Sequence, residues 1–145
     1  MPLPTPEAGL VIRYEFLWHN EHEAGEEDGK KKRPCAIIVA SKIDQGRTSV
    51  IVAPITHTKP DDGRGVELPM RVRQSLGLDD LPSWVIIDEL NQFMWPGYHI
   101  HPIDNSLPAK FEFGFLPPKL FEEVRDKIAN LDKEKKKTVN RDEVA

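Results

Sequence analysis

The chain has 145 residues, a mass of 16.5 kDa, 39% hydrophobic residues and a formal net charge of -4 with a pI near 5.7, which suits one compact domain rather than two. No uninterrupted apolar run is long enough to cross a bilayer and the first residues lack the basic and apolar regions of a signal peptide, so a cytoplasmic protein without membrane contact is expected. A single cysteine, Cys35, excludes an internal disulfide; between Pro34 and Ala-Ile-Ile-Val it reads as a small buried hydrophobe.

Residues 1–8 hold three prolines and no hydrophobic period, and read as an extended arm. From Leu10 the side chains alternate, with Leu10, Ile12, Tyr14, Phe16 and Trp18 on one face and Arg13, Glu15 and His19 on the other, the pattern of a half-buried strand. The polar stretch from Asn20 to Lys32 reads as a loop longer than hairpins usually need. Strands follow at 34–41 and 48–55, rich in Ile, Val and Ala and joined by the turn sequence Asp44-Gln45-Gly46-Arg47. Asp61-Asp62-Gly63 marks a further turn, Gly65 to Leu68 a short strand, and Pro69 opens a helical turn carrying Val72, Leu76 and Leu78. Ser83 to Asn91 reads as one strand, and Phe93 to Ile103 as one or two more, broken at Trp95-Pro96-Gly97, with Trp84 and Trp95 as core aromatics. After Pro117-Pro118 the period becomes helical, with Leu120, Phe121, Val124, Ile128 and Leu131 in one stripe. Residues 9–131 are thus expected to form a single domain and 132–145 a polar, flexible tail. Many short strands with one terminal helix predict a mainly β fold, a small SH3-like barrel.

Charge is segregated along the chain. Acids gather at Glu21, Glu23, Glu26, Glu27 and Asp28, and bases at Lys30, Lys31, Lys32 and Arg33 and again at Arg64, Arg71 and Arg73. A basic group of this kind can meet phosphates even on an acidic molecule, and each run also reads as a solvated loop face. Two islands combine a polar group with a buried strand: Lys-Arg-Pro-Cys-Ala-Ile-Ile-Val at 32–39 and Val-Ala-Pro-Ile-Thr-His-Thr at 52–58. Arg33 offers a permanently charged fork to phosphate oxygens, and Thr56 a hydroxyl; read alone, they are more simply the end of a basic loop and a turn cap. His57 titrates near neutral pH by its residue type. His99-x-His101 and His19-x-x-His22 do not supply a full metal-ligand set, so no metal or other cofactor is expected.

These islands, with Gly9-Leu10-Val11-Ile12-Arg13-Tyr14-Glu15-Phe16 and Trp84-Val85-Ile86-Ile87-Asp88-Glu89-Leu90, resemble the PemK/MazF family of toxin endoribonucleases. The resemblance implies that family's small SH3-like barrel, of the CcdB/PemK/MazF type, a homodimer, a cognate antitoxin as partner, and metal-independent, sequence-selective cleavage of single-stranded RNA. It places a catalytic arginine at Arg33, a catalytic threonine at Thr56 and, as in some members, an acid-base aspartate at Asp88. His57 stands beside these as a second candidate base, and Lys31, Lys32, His22 and Arg64 as RNA-binding groups. An acid-base arginine of some members would fall near Ile86, where this sequence has none. Two other functions fit the same fold: a gyrase-inhibiting toxin of the CcdB type, and a non-catalytic regulator that binds antitoxin or nucleic acid.

Overall fold

A computed structural model describes residues 3–25 and 31–143, without the side chains of His22, Asp44 and Glu143. Glu26, Glu27, Asp28 and Lys30 of the two charge runs therefore lie outside the described residues. Strand β1 (Leu10–Glu15) leads into a short helix α1 (His19–Glu23), then the hairpin of β2 (Lys32–Lys42) and β3 (Thr48–Thr56). Next come β4 (Gly65–Glu67), α2 (Met70–Ser75), β5 (Trp84–Ile86), β6 (Glu89–Trp95), β7 (Ile100–His101) and β8 (Glu112–Phe115). Helix α3 (Pro118–Asn130) and β9 (Lys137–Asn140) close the order. Among the described residues no helix is long and apolar enough to cross a membrane.

The mainly β architecture with a C-terminal helix is as expected, but the sheet is open. Its hydrogen-bonded path runs β4-β5-β3-β2-β1-β7, and among the described residues its ends do not pair with each other. Long strands achieve the curvature by changing partner along one edge. β3 carries β5 beside Ile55 and Thr56 but β6 beside residues 48–52, and the register shifts by three residues between the two. The single strand expected from Ser83 to Asn91 is therefore two, broken at Ile87 and Asp88, because each half follows a different part of the bent β3. β1 does the same on its outer edge, with β8 along residues 10–12 and β7 along 13–14.

Alternation in the hairpin sorts its side chains onto two faces. Ala36, Ile38, Ala53 and Ile55 enter one cluster, in which Val72 of α2, Leu76 just after it, and Val124 and Ile128 of α3 are buried. The predicted stripe of α3 is there in full, with Leu120, Phe121 and Leu131 packed at the edge, and Pro118 serves the first helical turn, where its missing N–H costs nothing. Burial contributes roughly 1.5–3 kcal/mol for each such aliphatic side chain. Cys35, Ile37, Val50 and Val52 enter the other cluster with Leu10, Ile12, Tyr14, Phe16 and Phe93. Burial pushes the Cys35 thiol well above the ordinary thiol range, with Arg33 and Arg141 opposing weakly, so it is packing material, as read from its neighbours. Trp84 and Trp95, expected in the core, are only half-buried.

The expectation for the C-terminus needs correction. Residues 132–145 do not form a frayed tail as far as they are described: β9 lies parallel to β6, the one parallel pairing among the described residues, with Val139 and Arg141 buried. Val139 inserts where the polar composition suggested solvent, because the open edge of β6 supplies backbone partners that sequence reading does not see.

Candidate active-site cleft

The register of the hairpin pairs Cys35 with Pro54, and two further steps bring Arg33 level with Thr56, which pairs in turn with Trp84 of β5. The two sequence islands thus end side by side at one rim of the sheet. A cleft of about 840 Å³ opens there, lined by Arg33, Pro34, Ile55, Thr56 and His57 on its floor. One wall is Trp18, Asn20 and Glu21, and the other is the β3–β4 loop, with Thr58, Lys59, Pro60, Asp61 and Arg64; Lys31, Lys32, Asp79 and Ile86 complete it. Lys31, Lys32, Arg33, Lys59 and Arg64 face only Glu21, Asp61 and Asp79, so the cleft is cationic although the whole chain is acidic.

Each functional side chain is held by a separate contact. The guanidinium carbon of Arg33 lies 5.2 Å from the centroid of the Trp18 ring, a cation–π arrangement, and its Nε is buried without a hydrogen-bond partner. Trp18 is itself set by an edge contact to Phe16 at 5.0 Å and by its backbone N–H, which donates to Glu21 Oε1 at 3.1 Å. Thr56 Oγ1 accepts the backbone N–H of Thr58 at 3.2 Å, which turns the chain out of β3 and leaves the hydroxyl at the cleft. His57 is bonded on both ring nitrogens, Nε2 to Asp79 Oδ2 at 2.9 Å and Nδ1 to the Pro82 carbonyl at 3.1 Å. Both partners are acceptors, so each bond uses a hydrogen on the ring nitrogen that makes it.

Arg64 and Asp88 form the remaining pair. Arg64 Nε donates to Asp88 Oδ2 at 2.5 Å, and that hydrogen bond raises the guanidinium pKa further. Asp88 is not among the cleft-lining residues; its carboxylate stands behind Arg64, with Oδ1 buried and unpartnered. The loop that delivers Arg64 is pinned by the Ile87 N–H to the Arg64 carbonyl at 3.0 Å, and by Gly65. A Cβ at Gly65 would lie 2.6 Å from the Pro60 ring and 3.2 Å from the Val85 carbonyl, too close for any side chain without displacing the loop.

Arg33, Thr56, His57, Lys31, Lys32 and Arg64 are therefore brought to one cleft, Asp88 adjoins it through Arg64, and His22 lies on α1 with its side chain outside the described residues. Arg73 leaves the predicted basic group: it is buried and donates to the Leu81 carbonyl at 2.7 Å. Asp79 and Lys59 were not singled out from the sequence. Asp79 is 22 residues from His57 and carries no local signal of its partner. Among the described residues no group of three or more His, Cys, Asp and Glu is arranged to hold a metal ion.

A model of the PemK-like, MazF-like toxins of type II toxin-antitoxin systems matches residues 12–132. No curated protein and no solved structure matched the chain.

Proposed function

The chain belongs to the PemK-like, MazF-like toxins of type II toxin-antitoxin systems, and from that premise we propose that it is a metal-independent endoribonuclease cutting single-stranded RNA in the Arg33–Thr56 cleft. The observation that carries the reading is the meeting of Arg33 and Thr56, 23 positions apart in sequence, on the floor of a cationic cleft. Its substrate is single-stranded because unstacked bases can enter such a cleft while the phosphates meet Lys31, Lys32 and Arg33. A homodimer and a cognate antitoxin belong to the same reading.

In the reaction, the ribose 2′-oxygen attacks the adjacent phosphorus as its proton is removed. The P–O5′ bond breaks, and a proton reaches the departing 5′-oxygen. The products are a 2′,3′-cyclic phosphate and a 5′-hydroxyl end. Arg33 is suited to neutralise the charge that builds on the non-bridging oxygens, and Thr56 to hold one of them. His57 lines the cleft and can pass a proton from Nε2 by leaving Asp79; Asp88, bonded to Arg64, is better placed to orient that cation than to touch the substrate. Arg64 also answers the missing arginine at Ile86. It precedes Gly65, the register partner of Ile86, so the neighbouring strand can supply the second guanidinium.

Incubation of the purified chain with a defined long single-stranded RNA in EDTA tests the reading. Discrete fragments ending in 2′,3′-cyclic phosphate are expected. Cleavage that vanishes in EDTA and returns with magnesium would overturn the metal-independent mechanism, and intact RNA throughout would overturn the nuclease reading.

A further inference from the structure

The residues after 132 lie outside the stretch matched to the family, yet they reach the support of the cleft. β9 is tied at its start by the Lys137 N–H to the Asp88 carbonyl at 2.8 Å, and just after its end by the Met94 N–H to Asp142 Oδ2 at 2.8 Å. Between these ties Arg141 turns inward and is buried. Its Nη1 donates to the Glu15 carbonyl at 2.7 Å, to Asn91 Oδ1 at 3.1 Å and to the Tyr14 hydroxyl at 3.3 Å, and its guanidinium carbon lies 5.6 Å from the Tyr14 ring centroid. Burying a guanidinium is expensive, and an apolar side chain of similar volume would fill the space at lower cost. What the arginine supplies instead is direction, through an Nη1 held among the Tyr14 hydroxyl and Glu15 carbonyl of β1 and the Asn91 amide oxygen of β6.

Asn91 carries that direction onward. Fully buried, it accepts the Leu17 N–H on Oδ1 at 2.9 Å and donates from Nδ2 to the Leu17 carbonyl at 2.8 Å, acting as a strand partner just where β1 has ended. The next residue is Trp18, the ring under the Arg33 guanidinium. We propose that Arg141 is a positioning residue: from a segment outside the family-matched span it locks the Glu15 carbonyl and Asn91, and so seats Trp18 and the Arg33 that rests on it.

The activity arm of the test rests on the nuclease reading; a second arm does not. In the full chain, Arg141→Leu should lower kcat about tenfold or more while KM changes little, since a small displacement of a charge-stabilising group costs turnover before binding. In a Trp18→Leu background the same substitution should cost almost nothing further, whereas additive losses would mean that Arg141 does not act through Trp18. Amide hydrogen exchange reads the device without any RNA: the Leu17 and Trp18 amides should lose protection in Arg141→Leu while those of α3 keep theirs. Protection lost evenly, α3 included, would reduce Arg141 to general support of the fold and overturn the proposal. If the wild-type chain cleaves no RNA but exchange is lost locally, the positioning role stands and the nuclease reading fails. Should Arg141→Leu not fold, Asp142→Ala, which frees only the exposed end of the segment, is expected to show the same localised pattern more weakly, and an even or unchanged pattern there overturns the proposal.

Discussion

The two faces of the β2–β3 hairpin are built by different means. On the face covered by α2 and α3 the core cluster is Val, Ile, Leu and Ala, and the polar residues buried on this side, Arg73 of α2 and Ser83, both donate to the Leu81 carbonyl. On the other face Tyr14 and Phe93 stack at 4.7 Å with their planes 13° apart, Phe16 meets Trp18 edge-on, and the polar groups of Asn91 and Arg141 are buried alongside. Aliphatic packing is non-directional and tolerates exchange of similar volumes, whereas stacked rings and buried hydrogen bonds are satisfied in one arrangement only. The Trp18–Arg33 pair grows from the second kind of core, and a reacting group needs that kind of fixity.

If this contrast is sound, Asn91→Leu should be the most damaging single change, costing roughly 3–4 kcal/mol, because Leu17 loses both partners inside the protein and Arg141 loses one of its acceptors. Chemical denaturation measures it. A cost no larger than that of an aliphatic swap on the helical face would erase the distinction between the two cores.

Next in size is Arg33→Ala, expected to slow cleavage about a hundredfold, or about 2.7 kcal/mol in the barrier, with thermal stability nearly unchanged. Full activity would dismiss the active site proposed for this cleft. Thr56→Ala should cost about tenfold, the loss of one neutral hydrogen bond in the transition state. His57→Ala should lower kcat with KM little changed, while Asp88→Asn should mainly raise KM by loosening Arg64; the opposite pattern would make Asp88 the acid-base group.

On the aliphatic face Ile128→Val should cost only about 1 kcal/mol and leave cleavage untouched. Smaller still is a pH effect at Cys35. Its folded pKa is raised by burial, so as pH climbs past the ordinary thiol value near 9.0 the unfolded chain ionises first and stability falls. The loss should be about 0.8 kcal/mol by about pH 9.5 and absent in Cys35→Ala, as urea midpoints at paired pH values would reveal. An equal decline in both proteins would assign it to another group.

Much of the helical face was legible from the amino acids alone. Pro118 followed by Leu120, Phe121, Val124, Ile128 and Leu131 specifies a helix, its start and its buried stripe within fifteen residues, and the Ile-Val-Ala runs around Asp44-Gln45-Gly46 specify the hairpin. Arg33 and Thr56 could be named because the family resemblance falls on them, each at the polar end of an apolar strand, and the hairpin register brings them level. Such features are local, and local periodicity is carried by neighbouring residues.

The rest was decided by contacts between distant segments. The break at Ile87–Asp88 follows from β3 bending beneath two partners, which no property of residues 83–91 announces. The His57–Asp79 and Arg64–Asp88 pairs join side chains 22 and 24 residues apart. Most distant of all, Arg141 comes from a stretch whose Lys-rich composition reads as a solvated tail, and it is buried because the open edge of β6 accepts β9, the end of β1 offers a carbonyl and a hydroxyl to its Nη1, and Asn91 of β6 offers an amide oxygen. The sequence by itself determined which segments could be strands and helix and which residues had the chemistry. Only the tertiary structure decided where those residues meet, because an ion pair or a buried hydrogen bond depends on the distance between its partners and leaves no period in the chain.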